Sequence, residues 1–315
     1  MTGTLRDPRT ATIEVDRPAD FDDFWAETLR LTEAIDPQPQ RVARPDLSTP
    51  DVAVSELYYT SFQGVRVAAW CAQPTGPAPA DGWPAAVHIP GYISDPGVLK
   101  SWARRGYVTV DLAPRGKLRA RGAVDPGYPG LLVSHIVDRF TYTYRGFYAD
   151  IVRGLDVVAG LDEVDASRFG VWGSSQGGGL GIVAAALRPD LVRCLAAGAP
   201  YLCGIMDCTR LTRSYPYEEI TEFLRVHPEL EPQVRETVAY FDGLNFAPAV
   251  QAPTLLHLGM RDDVCPPETG FALHERLACP TRLRAFDDCG HDAGLAWVGP
   301  EIERFLDEHL REAAR

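Results

Sequence analysis

FGVWGSSQGGGLGIVAAAL, residues 169–187, is the stretch whose reading decides the fold. Its first five residues, FGVWG (169–173), are almost continuously apolar, as in a strand covered on both faces. Its last twelve, QGGGLGIVAAAL (176–187), read as a helix with a glycine-rich first turn. Gly173-Ser174-Ser175-Gln176-Gly177 fits G-x-S-x-G with Ser175 at its centre. A strand before that motif and a helix after it is the setting of a strained elbow that presents a serine. Glycines on either side let the backbones come close. The helix start also aims unpaired N–H groups at the point where negative charge develops on an attacked carbonyl. Ser175 is the candidate nucleophile.

Outward from this elbow, short apolar strands alternate with helices. VAVSELYYTSF (52–62) and VRVAAWCAQP (65–74) flank Gln63-Gly64 and predict an antiparallel hairpin. AAVHIPG (85–91) and YVTVDLAP (107–114) predict buried strands, with a helix over 97–106 between them. Residues 115–145 are rich in Gly, Pro and Arg, and a long irregular segment in a compact domain usually marks function. A helix over 146–161 follows. Further strands are predicted at 192–200, 253–260 and 281–290, with helical character over 217–247 and a closing helix over 301–313. Near the start, Asp20 is placed to cap a helix through Phe21, Phe24, Trp25 and Leu29, and the proline-containing 36–50 reads as an extended connector. The pattern predicts an α/β protein of the α/β-hydrolase fold. Its core is a doubly wound, mostly parallel sheet, with an N-terminal helix and an antiparallel hairpin. All 315 residues are expected in one domain, residues 1–50 forming its N-terminal extension.

A serine hydroxyl needs an adjacent base. In this fold the partners follow in the order Ser, Asp or Glu, His. Three histidines lie beyond residue 270: His274, His291 and His309. His274 falls in a helix and His309 in the last helix. His291 sits in the turn CGHDAG (289–294) after a strand, where open α/β sheets carry their chemistry. His291 is the candidate base. The acid should follow the preceding strand, and HLGMRDDVCPP (257–267) offers Asp262 and Asp263, between which position does not choose. An oxyanion hole needs the N–H of the residue after the serine, Gln176, and one from the loop after an early strand. In IPGYISDPG (89–97) that second donor is Tyr92, with Gly91 letting the backbone turn inward.

The formal net charge of -12 argues against a nucleic-acid partner, which requires clustered Lys and Arg. Seven cysteines, an odd number with no CxxC pair, read as reduced, mostly buried thiols rather than a disulfide framework or a zinc site. The first twenty residues lack an apolar core for a secretory signal, and no apolar run approaches the ~18 residues of a membrane span. The expectation is a cytoplasmic protein that does not engage a membrane.

Longer motifs carry a resemblance. DFDDFWAETL (20–29), IPGYISDPG, DLAPRGK (111–117), DPGYPG (125–130), YTYRGFYADIVRGLD (142–156), PYLC (200–203), YPYEEITEFLRVHPE (215–229), YFDGLNFA (240–247) and DDVCPPET (262–269) all take part. Together with the elbow and GHDAG, they resemble the acetylxylan esterase / cephalosporin-C deacetylase family of carbohydrate esterases. The resemblance makes Asp262, first residue of Asp-x-x-Cys-Pro-Pro, the acid, and Tyr92 the oxyanion tyrosine. It implies removal of acetyl groups from small acetylated sugars or alcohols, no metal or cofactor, and a ring-shaped homo-oligomer, typically a hexamer. The chain departs from the family pattern at Lys117, where the family has glutamine, at Asp292 and Ala293 after the histidine, and over Ile93-Ser94-Asp95-Pro96. These departures are expected at the site mouth, with Lys117 carrying a charge toward it. They leave room for another hydrolase or acyl-transfer activity on a secondary metabolite. A non-catalytic binding protein would have no need of all three triad residues.

Overall fold

The structure is a computed structural model that describes residues 7–92, 94–117, 124, 127 and 130–312. Its strands are β1 (Gln40–Ala43), β2 (Val52–Thr60), β3 (Arg66–Pro74), β4 (Trp83–Ile89), β5 (Val108–Ala113), β6 (Val164–Ser174), β7 (Cys194–Gly198), β8 (Thr254–Gly259) and β9 (Thr281–Phe286). They form a nine-stranded sheet in the order β1-β2-β3-β5-β4-β6-β7-β8-β9. The first four in that order pair antiparallel, and every pairing from β5 to β9 is parallel. This is the doubly wound, mostly parallel sheet of the α/β-hydrolase fold, with the hairpin β2–β3 where the pattern places it. The helices are α1 (Phe21–Glu33), α2 (Lys100–Arg104), α3 (Thr143–Ala159), α4 (Gln176–Leu187), α5 (Ile205–Leu211), α6 (Tyr217–Val226), α7 (Glu231–Ala239), α8 (Gly243–Phe246), α9 (Pro267–Arg276) and α10 (Leu295–Asp307).

Several boundaries differ from the sequence expectation, each for a physical reason. The connector 36–50 contains β1, because its backbone pairs with β2 from Gln40↔Tyr58 to Ala43↔Ser55 although its side chains are exposed. Asp20 stands at the start of α1, but its carboxylate does not cap the helix. It accepts instead from the Tyr240 hydroxyl and, at 3.4 Å, from Arg139. The helical stretch 217–247 breaks at Pro228 and again at Asp242, whose carboxylate caps α8. The last helix starts at Leu295 rather than 301 and runs through Pro300, which gives up one intrahelical bond and keeps its helical φ. α5 has no counterpart in the sequence pattern. Of the irregular segment 115–145, DPGYPG lies mostly outside the described residues.

The core explains the position of the elbow. α3 is buried along almost its whole length, and α4 is buried from Gln176 to Ala186. A helix apolar on all sides is a core helix, and α4 therefore enters the middle of the protein with its N-terminus at the end of β6. On the far side of α3, α1 inserts Phe21, Phe24 and Trp25 among Tyr148, Tyr240, Phe241 and Phe246. The Trp25 indole donates to the Tyr240 carbonyl at 2.9 Å. A buried ion pair sets the chain leaving β5: Arg115 donates to both carboxylate oxygens of Asp150 on α3 at 2.9 Å. Losing one partner of such a pair leaves an uncompensated charge and typically costs about 3–5 kcal/mol.

Candidate active site

Ser175 sits between the last residue of β6 and the first of α4 with φ 58 and ψ -122. That conformation costs a non-glycine residue of order 1–3 kcal/mol and persists only where its surroundings impose it. Here the Ser175 N–H donates to Gly198 of β7 at 2.9 Å, and its carbonyl accepts from Gly179 and Tyr201 at 3.0 Å each. Gly173 and Gly177 let the turn close. A Cβ on Gly177 would lie 1.8 Å from the Ile89 carbonyl oxygen, and one on Gly173 2.7 Å from the Gly177 backbone. No side chain fits at either position.

His291 follows β9 in the turn before α10, and Asp262 follows β8. The imidazole Nδ1 lies 2.9 Å from Asp262 Oδ2 and 3.1 Å from Oδ1. Asp262 is buried, and its Oδ1 also accepts the N–H groups of Val264 and Cys265 at 2.8 and 2.9 Å. A carboxylate only accepts, so Nδ1 carries the hydrogen and Nε2 keeps the lone pair needed to take a proton. Asp263 faces outward; its carbonyl accepts from the Thr212 hydroxyl. The aspartate beside the histidine is thus Asp262. His274 lies on α9, and His309 follows α10, its Nδ1 bonded to the Phe305 carbonyl at 2.8 Å.

Ser175, His291 and Tyr92 line one cavity of about 450 Å³ together with Ser94, Tyr215 and Val264. A cleft of about 500 Å³ between residues 14–20 and α7 is slightly larger, but among the described residues no serine, cysteine or histidine lines it. Cys265 lies beside Asp262, and burial pushes its thiol pKa well above the ordinary value. The hydrogen bond between a serine nucleophile and its base commonly tightens only when substrate is present.

Gln176 opens α4, where its N–H has no acceptor within the helix. Tyr92 follows β4 and is held at both ends. Its hydroxyl donates to Glu219 Oε1 at 2.8 Å and accepts the Leu132 N–H at 3.1 Å. Glu219 is buried on α6, and its other oxygen takes the same Leu132 N–H at 2.8 Å. Burial raises the Glu219 pKa, while hydrogen bonds from Tyr92 and backbone amides oppose the rise. The inward turn expected from Gly91 needs no special conformation. Gly91 is not among the positive-φ glycines, and the nearest atom a Cβ there would meet is the Ser94 hydroxyl oxygen, at 3.3 Å.

Lys117 does not carry its charge to the mouth. It is buried, and its ammonium donates to the carbonyls of Gly91, Tyr92 and Ser94 at 2.6, 2.7 and 2.9 Å. Three donors meet three acceptors, which only the protonated amine can supply. The Asp292 carboxylate accepts the Gly294 N–H at 3.2 Å, and Ala293 is buried with φ 47. Ile93 lies outside the described residues. Sequence reading missed Cys265, Glu219 and a second histidine in the cavity, His88. For His88 the available signal was its place at the carboxyl end of a buried strand. Among the described residues, no group of three or more His, Cys, Asp or Glu could hold a metal ion, and no helix is long and apolar enough to cross a membrane.

Comparison with known proteins shows the family. The sequence matches the family model for acetyl xylan esterases over residues 5–309. An acetyl xylan esterase from Paenibacillus sp. R4 is 32% identical, with a TM-score of 0.89, covering 97% of this chain and 99% of that one. Acetyl xylan esterase 1 from Thermoanaerobacterium sp. JW/SL YS485 is 26% identical, with a TM-score of 0.87 over 96% and 98% of the two chains. Acetyl esterase Axe7A of Xylanibacter ruminicola is 26% identical over 280 residues, which cover 84% of this chain. The match spans 61% of that relative's length.

Proposed function

The chain belongs to the acetyl xylan esterase family, and we propose from that premise that it is a serine esterase removing acetyl groups from small O-acetylated sugars or alcohols. The observation that carries this reading is the strained Ser175 elbow in one cavity with a histidine whose tautomer Asp262 sets. In the proposed cycle, His291 Nε2 takes the Ser175 proton as the hydroxyl oxygen attacks the acetyl carbonyl. The oxyanion meets the N–H groups of Gln176 and Tyr92. His291 then returns the proton to the departing alcohol, leaving acetyl-Ser175. Water, deprotonated by the same imidazole, attacks that ester and releases acetate.

The experiment is turnover of p-nitrophenyl acetate, with a fluorophosphonate to trap the nucleophile. Ser175→Ala should lower kcat by several orders of magnitude and abolish labelling. Ser174→Ala should keep substantial activity. Label on another residue, or a dead Ser174→Ala beside an active Ser175→Ala, would overturn the reading.

A further inference from the structure

Beside Ser175 stands a second histidine–aspartate pair that the cycle above does not use. His88 is the penultimate residue of β4, and it is in register with Asp111 on β5 and with Trp172 on β6. In parallel strands such partners project to the same face. The three side chains meet there. His88 Nδ1 lies 2.8 Å from Asp111 Oδ1, and its ring packs on the Trp172 indole with centroids 4.0 Å apart. Asp111 is buried, and its second oxygen accepts the Gly97 N–H at 2.6 Å. Both carboxylate oxygens are therefore engaged, and the aspartate sets one tautomer of His88 as Asp262 does for His291. Nδ1 carries the hydrogen, and Nε2 of the neutral ring is left as an acceptor.

His88 lines the same cavity as Ser174, Ser175 and His291, with about a fifth of its side chain exposed. Ser174 lies two residues beyond Trp172, so strand alternation puts His88 on the Ser174 side of the elbow. That location suits the alcohol half of an ester held at Ser175. A fixed, partly exposed imidazole acceptor on a cavity wall matches a hydroxyl donor, and an acetylated sugar retains several hydroxyls next to its ester.

We propose that His88, oriented by Asp111 and Trp172, is a specificity-determining subsite that accepts a hydrogen bond from a free hydroxyl of the alcohol half and so favours polyol acetates. The proposal rests on the esterase reading of Ser175. It involves no covalent step.

The test compares kcat/KM for a xylose monoacetate, which carries free hydroxyls, with that for p-nitrophenyl acetate, which carries none on its leaving group. His88→Asn places an amide nitrogen where Nδ1 was, keeping a donor for Asp111 while removing Nε2. It should lower the ratio of the two values by about three- to ten-fold, the worth of one hydrogen bond. Asp111→Asn, which keeps the ring but releases its tautomer, should shift the ratio in the same direction. Free xylose should inhibit aryl acetate hydrolysis more strongly in the wild type than in His88→Asn. Equal losses on both esters, or an unchanged ratio in both variants, overturn the subsite and leave the esterase reading standing. A wild type that turns over neither ester overturns the esterase reading and the subsite with it.

Discussion

The ammonium of Lys117 lies 2.7 Å from the carbonyl oxygen of Tyr92, so the residue that carries a proposed oxyanion donor is held from behind by a buried cation. The same ammonium holds Gly91 and Ser94. Oxyanion donors work by being in place before charge develops, and a misplacement of about 1 Å can cost on the order of 100-fold. Lys117→Met removes all three bonds at similar length. It should lower kcat for p-nitrophenyl acetate by about ten- to hundred-fold with little change in KM. Lys117→Gln, which can donate to two of the three carbonyls, should fall between. A Lys117→Met enzyme with wild-type kcat would show that the loop holds itself.

Asp262 and Asp263 are neighbours in sequence with opposite surroundings. Asp262 is buried and bonded to His291, Val264 and Cys265; Asp263 is exposed. Asp262→Asn must turn its amide toward either the imidazole or the backbone N–H groups, and neither choice reproduces an acceptor on both sides. In serine proteases, loss of the correct histidine tautomer costs about 10⁴ in kcat, and a comparable loss is expected here. Asp263→Asn should stay within about two-fold, the scale of a surface substitution. Steady-state kcat for the two variants, with circular dichroism to confirm folding, decides the matter.

Acyl length probes whether Tyr92, which lines the cavity with Ser175, walls the acyl site. Its phenol is tied to Glu219 and Leu132 and packs edge-on against Tyr201 with centroids 5.9 Å apart, so it is not free to swing aside. Forcing extra methylenes against a fixed wall costs roughly 1–3 kcal/mol, and about 1.4 kcal/mol is a factor of ten in rate. Acetate should exceed butyrate by roughly ten-fold or more in kcat/KM across acetate, propionate, butyrate and hexanoate esters of one alcohol. A flat or rising series would favour a hydrolase of other acyl groups while leaving the positions of Ser175, His291 and Asp262 untouched.

Stability should fall on mild acidification through His257. This histidine on β8 is buried, its Nδ1 donates to the Ala293 carbonyl at 2.9 Å, and burial holds its pKa below the ordinary 6.5. The unfolded chain then binds the proton more readily than the folded one. The histidine's contribution is fully present above pH 6.5 and is lost progressively as pH drops below it. His257→Gln should have a lower Tm near neutrality, because the ring packs against Gly198. Its Tm should decline less than that of the wild type between about pH 7 and pH 5. Parallel slopes would assign the acid sensitivity to other groups.

What the sequence determined by itself was local. β6, the elbow and α4 follow one another within residues 164–187, and α4 has the bounds its pattern predicts. A strand, five motif residues and an all-apolar helix require no knowledge of distant chain. The hairpin and the parallel strands were legible for the same reason: their residue patterns report burial on one or both faces. Tertiary structure decided which distant groups meet. β4 lies between β5 and β6, and that strand order brings His88 onto both Asp111 and Trp172. Glu219 reaches Tyr92 across 127 residues, and Lys117 turns under the Tyr92 loop rather than toward solvent. No periodicity encodes these contacts. They arise because buried polar groups must find partners, and the partners within reach are set by how the sheet is ordered and how α6 and the chain after β5 pack against its carboxyl edge.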